Sequence, residues 1–224
     1  MSDSVAIVGS GLIGRAWAIA FGRAGWQVRL WDPDSSAPEA ALVTIDSLLA
    51  DLAAQDMLNG VAATDVLAHM LAVPTLDEAL AGADWVQENA PEDLEIKRAL
   101  WLDIDRLADS GTLLASSTSA IVPSKFTESL ANRAHCFNCH PINPPYLIPA
   151  VELVPAPWTS PGSWSRAEEV IRGIGQAVDL QPQRPLDLEI LGRVLLHPID
   201  TRQRLLEDRH RQHAAEHVRG SGAV

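Results

Sequence analysis

At 224 residues the chain can bury one substantial core, and its 47% hydrophobic and 21% charged residues are those of an ordinary globular protein. A net charge of −12 repels nucleic acid and anionic lipid alike, since both are held by excess Lys and Arg, and the apolar runs are too short to cross a bilayer. The presence of just two cysteines argues against a disulfide scaffold, and the opening Met1-Ser2-Asp3-Ser4 has neither the positive segment nor the cleavage site of a secretory leader, so a cytoplasmic address is expected.

Val5-Ala6-Ile7-Val8 is a short apolar run, then come glycines, then Leu12 to Ala24 with helical character, which predicts strand, tight turn and helix. Gln27 to Trp31 alternates as a second strand ending at Asp32. A helix is expected after Ser35 or Ser36, with Pro38 tolerated in its first turn, running to about Leu58 where Asn59-Gly60 stops it. Further on, Asp84 to Glu88 reads as a strand, Glu92 to Leu107 as an amphipathic helix, Thr112 to Ala115 as a strand and His135 to His140 as another. This alternation implies parallel strands whose crossover helices cover both faces of one sheet. Residues 181–224 differ in character: they carry many Arg and four His, no Lys, and only patches of apolar periodicity. The expected organisation is one domain over residues 1–180 and a divergent, poorly packed tail over 181–224.

Gly9-Ser10-Gly11-Leu12-Ile13-Gly14 matches G-x-G-x-x-G in the context its chemistry requires, a buried strand before and a helix after. Gly9 permits the tight turn, Gly11 lets a pyrophosphate approach the backbone, and Gly14 lets the helix pack closely on the strand. The free amides of the helix start then face the phosphates. Asp32, at the end of the second strand, is placed to accept hydrogen bonds from a ribose diol and to repel a 2′-phosphate, which predicts NAD rather than NADP; FAD would use the same turn. The bland alternative makes the glycines a simple turn and Asp32 a capping acid.

His140-Pro-Ile-Asn143-Pro-Pro-Tyr146 precedes Val151-Glu152-Leu-Val154, so a proline-rich loop separates a histidine from a glutamate. If Glu152 holds one ring nitrogen of His140, the other is free to take a proton, as a base for alcohol oxidation must. Spacing alone does not join the two. Ser116-Ser117-Thr118-Ser119 follows a predicted strand and suits either ligand binding or helix capping. Cys136-Phe-Asn-Cys139-His140 spells the c-type haem motif, but residues three apart on a strand project to opposite faces, so two half-buried packed cysteines are expected instead.

Gly9 to Gly14, Glu88-Asn-Ala-Pro-Glu92-Asp-Leu94, Ser116 to Ser119, and above all His140-Pro-Ile-Asn-Pro-Pro-Tyr with Val151-Glu-Leu-Val together resemble the 3-hydroxyacyl-CoA dehydrogenase superfamily, in order, over roughly residues 4 to 180. The resemblance implies an α/β fold, a doubly wound, mostly parallel Rossmann sheet with helices on both faces. It implies NAD-dependent oxidation of the 3-hydroxyl of a small hydroxy acid such as L-gulonate, with a 3-hydroxyacyl-CoA or L-carnitine as alternatives. His140 would be the general base, Glu152 its orienting partner, and Ser119 and Asn143 would bind the substrate oxygen and the nicotinamide side. Gly9, Gly11, Leu12, Ile13, Gly14, Asp32, Glu92 and Lys97 would form the cofactor site; from charge alone, Glu92 and Lys97 read as solvated residues at a helix start.

Members of this superfamily continue into an all-helical domain that shapes the substrate site and forms much of a dimer, and Leu186 to His197 does not read as its opening segment. A truncated or frame-shifted relative is the expectation. It carries two consequences: an uncovered apolar face favouring a homodimer or self-association, and a second class of function, an NAD-binding module with little or no activity. Scarce Lys also weighs against CoA, whose phosphates need positive partners.

Overall fold

The strand–helix alternation builds one eight-stranded sheet in the computed structural model, which describes residues 3–180. These belong to a unit spanning Met1–Pro185, and the tail expected over residues 181–224 lies outside the described residues. In chain order the elements are β1 (Ser4–Val8), α1 (Leu12–Arg23), β2 (Gln27–Trp31), α2 (Ala37–Ala54), α3 (Ala63–Ala68), β3 (Met70–Ala72), α4 (Leu76–Leu80) and β4 (Trp85–Glu88). They continue with α5 (Leu94–Leu107), β5 (Leu113–Ser116), α6 (Ser124–Thr127), a 3-10 turn (Arg133–His135), β6 (Cys136–Pro141), β7 (Ala150–Pro155), α7 (Pro161–Gly173) and β8 (Ala177–Leu180).

The strand order is β3-β2-β1-β4-β5-β6-β7-β8. The first six strands run parallel, as the alternation predicts; β7 returns antiparallel to β6, and β8 runs parallel to β7. The order reverses between β1 and β4, and at such a point the two adjoining chains leave the sheet toward opposite faces, opening a crevice at the carboxyl ends of the strands. Central β1 is apolar from Val5 to Val8, and both it and β4, which ends in buried Gln87 and Glu88, are covered on both faces.

One face of the sheet packs on α1, α2, α3 and α7. Trp17 and Phe21 of α1 meet Trp85 and Phe137 of the sheet, with Phe21 and Trp85 ring centroids 6.0 Å apart and Trp85 and Phe137 5.3 Å apart. The other face packs on α4, α5 and α6 through Leu80, Trp101, Ile104 and Phe126. Helix α5 starts two residues later than its periodicity suggests. Asp93 is its N-cap, accepting from the amides of Glu95 at 2.9 Å and Ile96 at 3.0 Å, so Glu92 is left outside the helix for other work.

Beneath the crevice, Lys97 and Glu88 form an ion pair at 2.8 Å, with side chains only 1% and 0% exposed. Glu88 spends its remaining acceptor capacity on Ser116 Oγ (2.5 Å), Trp101 Nε1 (3.0 Å) and the Ala90 amide (2.6 Å). One carboxylate thus joins the ends of β4 and β5 to α5. A pair this deep is stable only while both charges remain.

Two variants probe these constraints. Gly14→Ala places a methyl carbon 1.9 Å from the Gly9 carbonyl oxygen, so denaturant titration should show a loss of about 1–3 kcal/mol or more. Lys97→Met leaves Glu88 unpaired and should cost about 3–5 kcal/mol by the same measurement, much of it recovered in the Lys97→Met, Glu88→Gln double variant.

Candidate active site

The glycine turn joins β1 to α1 at the edge of the crevice. Gly9 has φ +93, and a side chain on it would press on the Asn89 carbonyl at 3.0 Å, so the turn and the loop after β4 approach through bare backbone. Gly14 is closed against Gly9, whereas a carbon added at Gly11 would meet nothing within 4 Å. Gly11 is the N-cap of α1, with no side chain capping the helix and no acid in its first turn. Unfilled space, uncapped amides and the positive end of a twelve-residue helix fit a pyrophosphate. Leu12 is largely exposed beside this opening, and Ile13 packs inward on the core.

Asp32 follows β2 and faces the same turn. Its Oδ2 accepts from the Ser10 amide at 2.8 Å and the Ser10 hydroxyl at 3.1 Å, and its Oδ1 accepts from the Asp34 amide at 3.1 Å. The turn and the acid are therefore one unit, a link that counting the glycines does not reveal. Ser10 was missed because its position in the motif is a variable one.

Lys97 is buried rather than solvated, whereas Glu92 is exposed yet engaged. Glu92 Oε1 accepts the Thr118 hydroxyl and, at 2.9 Å, the Ala120 amide, bracketing Ser119. Burial opposes its ionised form, but the Thr118 hydroxyl, the Ala120 amide, the charge of Lys97 and the Ile121 amide hold its carboxyl below the usual carboxylate range. That contribution is present above the ordinary carboxylate pKa and is lost as pH falls through the lowered one. Lys97 directs its ammonium to Glu88, and also reaches the Ala90 carbonyl at 3.3 Å and Ser116 Oγ at 3.5 Å. On the far side of the Ser119 loop, Asn138 Nδ2 donates to the Ile121 carbonyl at 2.9 Å.

A further polar residue, Gln87, was not picked out in the sequence, and it joins Ser117 and Asn89 in one network. Ser117 Oγ accepts from Trp17 Nε1 (3.0 Å) and Gln87 Nε2 (2.8 Å), and donates to Asn89 Oδ1 (2.7 Å). This chain of bonds fixes the loops after β4 and β5 against α1. The signal in the sequence was the occurrence of Gln87, followed by Glu88, at the end of a short buried strand.

His140 and Glu152 meet because the loop between them returns the chain as an antiparallel strand. They are register partners in the antiparallel β6–β7 pair, and His140 Nδ1 lies 3.0 Å from Glu152 Oε2. An ionised carboxylate only accepts, so Nδ1 carries the proton and Nε2 is the basic nitrogen. Among the described residues Nε2 makes no hydrogen bond, and the side chain is 18% exposed. Ser119 and Asn143 are exposed, on the loops after β5 and β6, whose carboxyl ends neighbour each other in the parallel part of the sheet. The proline-rich loop is itself anchored, its Tyr146 carbonyl by Arg23 and its Pro145 carbonyl by Gln176, both at 3.1 Å.

Cys136 and Cys139 lie in the two opposite core layers, fully buried rather than half-buried, and burial pushes both thiols up. They are inert packing residues. Among the described residues no group of His, Cys, Asp and Glu has the makings of a metal site, and no helix is long and apolar enough to cross a membrane.

Comparison with known proteins identifies the family. The family model for the 3-hydroxyacyl-CoA dehydrogenase NAD binding domain matches residues 4–179. A lambda-crystallin homolog of Bos taurus is 40% identical over 205 residues, covering 91% of this chain and 64% of the relative. An L-carnitine dehydrogenase/betainyl-CoA thioesterase of Ruegeria pomeroyi is 37% identical, covering 86% of this chain and 38% of the relative. Among solved structures, 3-hydroxybutyryl-CoA dehydrogenase of Escherichia coli superposes with a TM-score of 0.78 at 27% identity, covering 83% of this chain and 39% of that one. The chain thus spans under two thirds of the length of these relatives. It carries an NAD-binding Rossmann domain and belongs to the 3-hydroxyacyl-CoA dehydrogenase family.

Proposed function

We propose that the chain is the cofactor-binding and base-bearing part of a dehydrogenase that oxidises the 3-hydroxyl of a small hydroxy acid, L-gulonate-like in kind, in the cytoplasm. The observation that carries this reading is the His140–Glu152 pair at 3.0 Å with Nε2 left basic, on the strand edge that the glycine turn also faces. The amides of Gly11, Leu12, Ile13 and Gly14 receive the pyrophosphate, Gly9 shapes the turn, and Asp32 accepts from the adenosine ribose. NAD, when bound, supplies the acceptor for the hydride leaving the alcohol carbon.

The protein's own work is positioning and proton transfer. Nε2 of His140 takes the hydroxyl proton, and the Glu152 carboxylate stabilises the imidazolium that results. Ser119 holds the substrate oxygen, its loop stiffened by Glu92 on one side and Asn138 on the other. Asn143 orients the nicotinamide side. Lys97 serves the site through Glu88, whose bonds set the ends of β4 and β5.

Beside the free hydroxy acid, the names of two relatives keep two further substrate classes in view, a 3-hydroxyacyl-CoA and L-carnitine. A reading of another class is an NAD-binding module with little turnover, associating as a homodimer or with itself. Formation of NADH, followed by its near-ultraviolet absorbance with gulonate, 3-hydroxybutyrate, its CoA ester and carnitine, separates these readings. NADH from one of them identifies the class, and none from any, with NAD still bound, supports the module. His140→Ala should lower turnover by on the order of 10²–10⁴-fold while leaving NAD affinity unchanged, checked by steady-state rates and calorimetry. Normal turnover in that variant would remove His140 as the base.

A further inference from the structure

We infer that Ser10 is a positioning residue that sets the preference for NAD over NADP, acting through Asp32; this rests on the cofactor reading above. The usual account of such a turn assigns selectivity to the acid alone. Here the acid is not free to orient itself. Ser10 is 3% exposed and holds Asp32 Oδ2 twice, through its amide at 2.8 Å and its hydroxyl at 3.1 Å. With Oδ1 accepting from the Asp34 amide, both oxygens have a fixed donor, and the plane of the carboxylate is set before any nucleotide arrives.

Ser10 fills both lone pairs of Oδ2, and Oδ1 keeps its second lone pair open to a ribose hydroxyl. A carboxylate clamped at both ends cannot swing aside for a 2′-phosphate, so its repulsion of that group is enforced rather than avoided. Amides at this position are available from any residue. The hydroxyl is what Ser10 adds, and it is the removable part of the clamp.

Ser10 also fits this role by what it does not do. Its hydroxyl donates to Asp32 and not to the backbone of α1, whose N-cap is Gly11. Removing it therefore loosens the acid without uncapping the helix that receives the pyrophosphate. Affinity for the phosphates and selectivity at the ribose are thereby separable.

The test is calorimetric titration of the full chain, as wild type, Ser10→Ala and Ser10→Thr, with NAD and with NADP, alongside thermal melts. Ser10→Ala should weaken NAD binding by about five- to tenfold while NADP is affected less, so that the NAD/NADP ratio falls; Ser10→Thr, which keeps the hydroxyl, should restore the ratio. Equal losses for both nucleotides, or an unchanged ratio, would overturn the assignment of Ser10 and leave the cofactor reading intact. A wild-type chain that binds neither nucleotide would overturn both. If Ser10→Ala melts too early to titrate, Ser10→Thr and Ser10→Cys carry the test: Thr must keep the ratio, and Cys, a poor donor, must lower it.

Discussion

The approach of Gly14 to the carbonyl of Gly9 fixes where α1 begins, and with it the geometry of everything the crevice contains. An added carbon at Gly14 would lie 1.9 Å from that oxygen, while one at Gly11 would meet only open space. The same helix start is thus tight on the side of the sheet and open on the side of the ligand. Because the strand order reverses between β1 and β4, the open side looks into the crevice rather than onto a neighbouring helix. Gly9, packed on Asn89, carries that constraint across to the loop after β4.

Around this backbone frame the polar side chains work in pairs and clusters, not singly. Ser10 holds Asp32, Glu88 holds Lys97 and Ser116, Glu92 holds Thr118 and Ala120, and Glu152 holds His140. In each case a carboxylate consumes backbone or side-chain donors that would otherwise be left unpaired near the sheet edge. The acids that give the chain its negative charge thereby also order the loops around the crevice. Preorganisation of this kind spares the reacting state the cost of arranging its own surroundings.

The parts of the fold legible in the sequence were those governed by short-range patterns. β1, the glycine turn, α1 and β2 each announce themselves by a run of apolar residues, a fixed spacing or a stop signal, and Gln27 to Trp31 matches its strand from end to end. Short α3, β3 and α4 gave no period long enough to read, and the long helix expected to reach Leu58 ends at Ala54. Glu92 looked like a helix-start charge because its partner, Thr118, is remote in sequence. The meeting of His140 with Glu152 was legible only through the family resemblance. Its physical cause is the antiparallel return of β7, a strand partnership that no local pattern in Val151 to Val154 discloses. The same holds for Ser117, whose three partners come from α1, β4 and the loop after β4.

A crystal structure of the chain with NAD tests the central claim most directly. It should show the pyrophosphate against the amides of Gly11 to Gly14, the adenosine ribose on Asp32, and the nicotinamide on the side of the sheet edge that carries His140. Nucleotide density away from the glycine turn, or an Asp32 carboxylate turned from the ribose, would contradict it.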